Sequence, residues 1–407
     1  MGPDKSTTDP AMGRDTPTLQ HIARGSTADR PDNVANYDLL TTTPALEACV
    51  AQLAQESVIA LDTEASSFHR YRESVCLVQL STRTNTYLID PLSAKDLTSL
   101  GTLLAHRHME VVIHDADYDL RLLARHHGIR VENVFDTLVA AELLNEPEIG
   151  LAALLNKYQG LQVNKKFQKA DWSKRPLPQD MLDYAAGDTS HLIALRDILE
   201  KGLKEKDRWT WAQEEFSLLT DAPFNASAND EPLFLRIKGA KMLKPHQLAI
   251  LREVHTWREG VAEHQDRAPF MVLGNDVLIS LAVEPPSSIR ELGARPGVGE
   301  RVVEKHGQRI LAAVKRGQEL PKDQWPRLER PKRWDRDDDY EDRLKRLKAK
   351  RDELTRAFDL RPGIVAANQI LMEIARTLPG DQQALQALPG MRRYQVEHFG
   401  AALLSVL

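Results

Sequence analysis

The segment Leu61-Asp62-Thr63-Glu64 sets two acids just beyond a short apolar run, Val58 to Leu61, that reads as a buried strand. Residues two apart in a strand point to one face, so Asp62 and Glu64 project together toward one site. Two such carboxylates repel strongly, and a divalent cation relieves that repulsion. An acid at a strand end is also common in α/β proteins without any chemistry, so this pair needs partners. A second concentration, His114-Asp115-Ala116-Asp117-Tyr118-Asp119-Leu120, falls where a strand passes into a helix. Asp119 sits inside the helical pattern, with Leu122 and Leu123 on its buried side. Asp115 and Asp117 read first as N-caps or solvated first-turn charges. Third, Tyr184 and Asp188 stand four apart on a helix and share a face. Alone they would read as a core tyrosine beside a surface acid.

A basic stretch lies between these acids. Lys165, Lys166, Lys169, Lys174 and Arg175 are interleaved with Phe167 and Trp172, a composition able to meet phosphates and stack on bases. The alternative for Trp172 is that it pins the loop to the core. Gln79, His114 and Asp136 read as internal hydrogen-bonding residues.

The surrounding pattern is that of an α/β domain. Thr43 and Pro44 open a helix with Leu46, Cys49, Val50 and Leu53 on one face. Strands are expected at Val58 to Leu61, Val75 to Leu80, Thr86 to Ile89 and Glu110 to Ile113. Helices are expected from Ser93 and over Tyr118 to His127, the latter closed by Gly128. From Gly150 onward the pattern is almost entirely helical, with one long helix from about Pro178 to Lys201. Residues 221–230 form a polar linker. Farther on, residues 268–314 align without gaps to residues 361–407 at an offset of 93, pairing Pro269 with Pro362, Asn275 with Asn368 and Gly297 with Gly390. Two copies of a small helical module follow from that repeat. In each copy a turn, Pro296-Gly-Val-Gly299 or Pro389-Gly-Met-Arg392, precedes a helix whose free N–H groups can receive a phosphate. Arg392 and Arg393 favour the second copy for that contact, and a plain turn is the other reading.

Taken together, Asp62 and Glu64, then Asp119, then Tyr184 with Asp188 resemble the three motifs of the DEDD exonuclease superfamily, in its tyrosine subtype. Leu88-Ile-Asp-Pro-Leu92, Phe135-Asp-Thr137 and Lys166-Phe-Gln-Lys-Ala-Asp-Trp-Ser-Lys-Arg-Pro-Leu177 resemble the ribonuclease D family within it, and the repeats look like its paired HRDC domains. The resemblance implies a ribonuclease-H-like α/β exonuclease domain with a mixed sheet, followed by two small all-α domains. The corresponding boundaries are a tail over residues 1–35, the exonuclease domain over 36–222, helical modules over 235–318 and 340–407, and a linker over 319–339. It further implies 3′-to-5′ trimming of RNA, with precursor tRNA as the favoured substrate and nucleoside 5′-monophosphates as products. Two divalent ions, Mg²⁺ or Mn²⁺, would be held by Asp62, Glu64, Asp119 and Asp188, with Tyr184 orienting the attacking water. Hard oxygen donors suit such ions and disfavour zinc. Lys165, Lys166, Lys169, Trp172 and Arg175 are the expected RNA contacts. Ala65 departs from the larger side chain often found after the motif's glutamate, and Phe68 is expected to pack the terminal base instead.

Composition bounds the rest. The 407 residues carry a net charge of −5, but residues 301–357 hold 18 Lys/Arg against 12 Asp/Glu, so an acidic body joins a basic segment. That suits an enzyme that gathers carboxylates at a metal and holds an anionic polymer elsewhere, and equally a solvated charged helix. Two cysteines are too few for a disulfide framework, and no apolar run is long enough to span a bilayer, so a cytoplasmic protein is expected. A monomer without an organic cofactor is the accompanying expectation. The turn after the first strand is Asp-Thr-Glu rather than glycine-rich, which excludes dinucleotide binding. A 3′-to-5′ exonuclease acting on DNA and a non-catalytic RNA-binding scaffold stay open as rivals.

Overall fold

A computed structural model describes residues 23–24, 36–225, 231–328 and 338–407. Most of the expected tail, part of the polar linker after residue 225 and much of the 319–339 linker lie outside these. The described strands are β1 (Ala23–Arg24), β2 (Tyr37–Leu40), β3 (Val58–Ala65), β4 (Val75–Ser81), β5 (Thr86–Ile89), β6 (Glu110–Ile113) and β7 (Val134–Asp136). They form one mixed sheet in the order β1-β2-β5-β4-β3-β6-β7. At its centre β3 runs antiparallel to β4 and parallel to β6. The acid pair therefore lies inside β3, not beyond it, with Asp62 opposite Gln79 and Glu64 opposite Leu77. Hydrophobicity marks where a strand is buried, whereas ladder pairing decides how far it extends.

Helices α1 (Thr43–Leu53), α2 (Thr98–Leu104) and α3 (Ala116–His127) cover one face, where Leu46, Leu53, Leu100 and Leu123 pack on Ile59 and Leu61. The other face receives α4 (Thr137–Leu143), α5 (Leu151–Gln159), α6 (Gln179–Ser190), α7 (Leu192–Glu205) and α8 (Trp209–Asn225). Three expectations need correction. The second helix begins at Thr98 rather than Ser93, because the Asp90 carboxylate accepts from the Leu92 N–H and the Ser93 hydroxyl and holds that stretch as a turn. Residues 160–178 are loop, not helix. The long helix is broken at His191, whose φ of −110° and ψ of −3° end α6 and restart the chain as α7.

Among the described residues of the C-terminal part, every regular element is a helix. The first module contains α9 (Pro245–His264), α10 (Pro269–Val272), α11 (Asn275–Val283), α12 (Ile289–Gly293) and α13 (Glu300–Glu319). The second contains α14 (Asp338–Ala357), α15 (Pro362–Val365), α16 (Asn368–Thr377), α17 (Gln382–Gln386) and a last helical run from Arg393 to Leu404. Every helix of the second module begins 93 residues after its counterpart, including α14 after α9, where the sequences no longer align. Gly297 and Gly390 share a φ of 83°, a left-handed turn that glycine adopts without strain.

The modules dock differently. Tyr394 of the second stacks on Trp211 of α8 at 4.9 Å and 11° between planes, and the Arg392 Nε donates to Glu215 Oε1 at 2.9 Å. Glu214 accepts the backbone N–H groups of Arg393 at 2.7 Å and Tyr394 at 3.2 Å. The helix start expected to receive a phosphate is thus filled by a carboxylate of α8, and Arg392 serves docking. The first module holds the β3–β4 loop instead: Arg72 pairs with Glu263 at 2.9 Å, and the Ala268 N–H donates to the His69 carbonyl at 3.3 Å.

Candidate active site

Three separate elements deliver the acids. β3 alternates its side chains, so Ile59 and Leu61 enter the core beneath α1–α3 while Asp62 and Glu64 take the opposite face. There α6 brings Asp188 close enough that carboxylate oxygens of Asp62, Glu64 and Asp188 lie within 4.8 Å of one another. From α3 comes Asp119, only 5% exposed and anchored by a hydrogen bond from the Thr63 hydroxyl. All four acids and Tyr184 line one cleft of about 560 Å³.

Electrostatics in this cluster run against ionisation. Burial pushes Asp62 well above the usual carboxylate range, and Asp188 adds to the shift. Glu64 is pushed up to about 10 by burial and then by Asp62, Asp188 and Asp119. Asp119 is raised by burial and by Asp62. Asp188 is raised by burial to about 7, partly held down by a hydrogen bond from the Tyr184 phenol. A set of hard oxygen donors, half-buried at Asp62 and Glu64 and buried at Asp119 and Asp188, that resists simultaneous ionisation fits a divalent cation, which would stabilise every carboxylate at once.

Tyr184 stands over this set with its ring against Phe167 at 5.8 Å and Trp172 at 6.2 Å. Burial and the neighbouring Asp188, Glu64 and Asp62 raise its pKa, so the phenol keeps its proton and works as a donor or an orienting group. Burial lowers His114 to about 4, leaving it neutral, and its Nδ1 hydrogen-bonds the Thr137 hydroxyl at 2.9 Å. Asp136 accepts from the backbone N–H groups of Asp115, Ala116 and Leu138, tying the start of α3 to that of α4. Asp115 adopts a left-handed φ of 63° there, and Asp117 pairs with Arg121.

The expected RNA contacts divide. Lys165 lines the cleft. Lys166 is not among the residues lining it and is paired with Asp180 at 3.1 Å and 4.6 Å over the Phe167 ring. Lys169 contributes its carbonyl to His69 Nε2 at 2.9 Å. Trp172 is 1% exposed and has no face for a base, so the core-pinning alternative holds. Arg175 grips Asp90 through Nε at 2.7 Å and Nη2 at 2.8 Å and also reaches the Cys76 carbonyl, which leaves its guanidinium committed to the fold. Phe68 is 46% exposed on the β3–β4 loop, outside the residues lining the cleft. Sequence reasoning missed Asn164 and Gln168 on the cleft wall, and Gly150, Leu151 and Ala152 at the start of α5, whose backbone N–H groups can receive phosphate oxygens. Glycine before an apolar helical run was the available signal. Gln79, expected in an internal hydrogen bond, has none among the described residues.

The chain matches a 3′-5′ exonuclease family model over residues 37–204 and an HRDC domain model over residues 247–314 and 341–407. It is 31% identical over 281 residues to a ribonuclease D of Desulfotalea psychrophila, covering 69% of this chain and 75% of that one. Its fold is similar to that of a crystallised protein from Bifidobacterium adolescentis, with a TM-score of 0.77 and 24% identity over 90% of this chain and 96% of that chain. Escherichia coli RNase D, described as an exoribonuclease involved in structured RNA processing, superposes with a TM-score of 0.69 and 24% identity over 91% of this chain and 98% of that chain. With this exonuclease fold followed by HRDC modules, and with that relationship along most of its length, the chain belongs to the ribonuclease D family and is a hydrolytic 3′-to-5′ exoribonuclease.

Proposed function

We propose that Asp62, Glu64, Asp119 and Asp188 hold two Mg²⁺ or Mn²⁺ ions, and that the cleft removes nucleotides one at a time from the 3′ ends of structured RNA, precursor tRNA foremost. The observation that carries this reading is the convergence of Asp62, Glu64 and Asp188 within 4.8 Å on the floor of a cleft that Asp119 and Tyr184 complete. Ions bound there would acidify an attacking water and neutralise charge at the phosphorus, releasing nucleoside 5′-monophosphates.

The protein side of the reaction is positioning. Asp188 and the Tyr184 phenol form a hydrogen-bonded pair across one turn of α6, which aims the phenol at the cluster for orienting water. Lys165 meets a phosphate of the penultimate nucleotides, and the start of α5 offers backbone donors opposite it. Phe68, Lys166 and Lys169 lie farther along the path of a longer RNA. The buried free thiols Cys49 and Cys76 suit a reducing compartment, and we assign a monomer in the cytoplasm.

A gel time course on a 3′-extended structured RNA tests this, with and without divalent metal and beside a matched DNA. Metal-dependent shortening of the RNA from its 3′ end is expected, and both Asp62→Asn and Asp188→Asn should slow it by orders of magnitude while RNA binding persists. Undiminished cleavage by both variants would remove the site, and preference for the DNA would overturn the substrate.

A further inference from the structure

On β4, Leu77, Gln79 and Ser81 alternate onto the face covered by α6. Leu77 packs in a cluster with Met181, Leu182 and Ala185, and the Ser81 hydroxyl meets that of Thr189 at 2.7 Å. Gln79 therefore lies beneath α6, in a cross-strand row with Asp62 on one side and Leu88 on the other. It is fully buried, and among the described residues neither Nε2 nor Oε1 of its amide has a hydrogen-bond partner. A buried polar group left unpaired destabilises the fold, because the water it has lost is not replaced by any partner. An aliphatic residue would fill this place at lower cost, so the amide points to a partner gained in another state of the site.

The neighbours narrow that partner. Leu88 offers no polar side-chain atom, and the Ser81 hydroxyl is engaged with Thr86 and Thr189. Asp62 is directly opposite, and cross-strand Cβ atoms lie about 4.5–5.5 Å apart, within span of a Gln amide and an Asp carboxylate. We infer that Gln79 is a positioning residue whose Nε2 donates a hydrogen bond to the Asp62 carboxylate when a divalent cation is held there, fixing which oxygen faces the cation. The inference rests on Asp62 holding metal. A neutral donor does this without adding charge to a crowded anionic cluster, and orienting partners of this kind govern affinity for the ion.

Calorimetric titration of the full chain with Mn²⁺ tests it without reference to turnover. Gln79→Met keeps length and burial but removes the donor, and Gln79→Glu keeps the shape but replaces the donor with an acceptor. Mn²⁺ affinity should fall about tenfold or more in Gln79→Met and further in Gln79→Glu, with kcat reduced and KM for RNA unchanged. Melting of the metal-free Gln79→Met protein should be unchanged or raised, because an unpaired amide is lost. Parental Mn²⁺ affinity in both folded variants overturns the inference. Asp62→Asn serves alongside: if it loses Mn²⁺ while both Gln79 variants keep it, only the role of Gln79 falls, whereas if it binds Mn²⁺ and cleaves RNA like the parent, the metal site falls too.

Discussion

Replacing Asp188 with Asn should stabilise the metal-free protein while removing its activity. The parent holds carboxylates of Asp62, Glu64 and Asp188 within 4.8 Å, where each ionised pair repels by roughly 3.5 kcal/mol at an effective dielectric near 20. Protonation relieves part of this, since burial and its acidic neighbours push Glu64 up to about 10 and it carries a proton at neutral pH. Asp62 is likewise raised, so what remains at pH 7.5 is chiefly the burial of the Asp188 charge, which raises that group to about 7 and which relaxation reduces to a cost of about 2 kcal/mol. Asn is isosteric and keeps an oxygen beside the Tyr184 phenol, so packing changes little. For a domain near 200 residues, about 2 kcal/mol corresponds to a rise of roughly 4–8 °C in melting temperature. The assay is scanning calorimetry at pH 7.5 in chelator and then in Mn²⁺. Asp188→Asn should melt above the parent in chelator, and added Mn²⁺ should raise the parent more than the variant. A variant that melts below the parent in chelator would refute the idea that these acids strain the fold for the sake of a cation.

The same cluster sets a pH dependence opposite in sign to that of ordinary surface acids. Asp188 and Glu64 have folded pKa values raised to about 7 and about 10, so the folded chain binds more protons than the unfolded one, and their stabilisation is complete below pH about 4 and lost as pH rises through those values. Urea midpoints in chelator should fall between pH 5 and 9, and Mn²⁺ should flatten the decline; a rising midpoint would show that burial and mutual repulsion do not govern these acids. Glu214→Ala removes the acceptor for the Arg393 and Tyr394 N–H groups, in effect an N-cap supplied by α8. Docking of the second module should weaken by about 1 kcal/mol, read as faster limited proteolysis ahead of residue 338 with cleavage of short RNA unchanged. Lys165→Ala should raise KM for RNA at constant kcat and reduce the slope of log affinity against log salt by about one, as expected for one lost phosphate contact.

The five side chains proposed for the chemistry stood out in the sequence only as a set: strand alternation pairs Asp62 with Glu64 and one helical turn pairs Tyr184 with Asp188, but it is their order along the chain with Asp119, resembling the DEDD motifs, that singles them out. The repeat was legible as well, since residues 268–314 and 361–407 align at one offset. What a residue touches across the fold was not. Trp172 and Arg175 have the composition of an RNA contact, yet one is buried in the core and the other grips Asp90, 85 residues away. Arg392 looked free for phosphate until α8 placed Glu215 against it. Gln79 reads as one more polar residue in an apolar strand, and only the pairing of β3 with β4 sets its unpaired amide beside Asp62. Local periodicity is written into the order of residues, whereas the partner of a buried polar group or a long basic side chain is chosen by packing among elements distant along the chain, and that choice belongs to the tertiary structure.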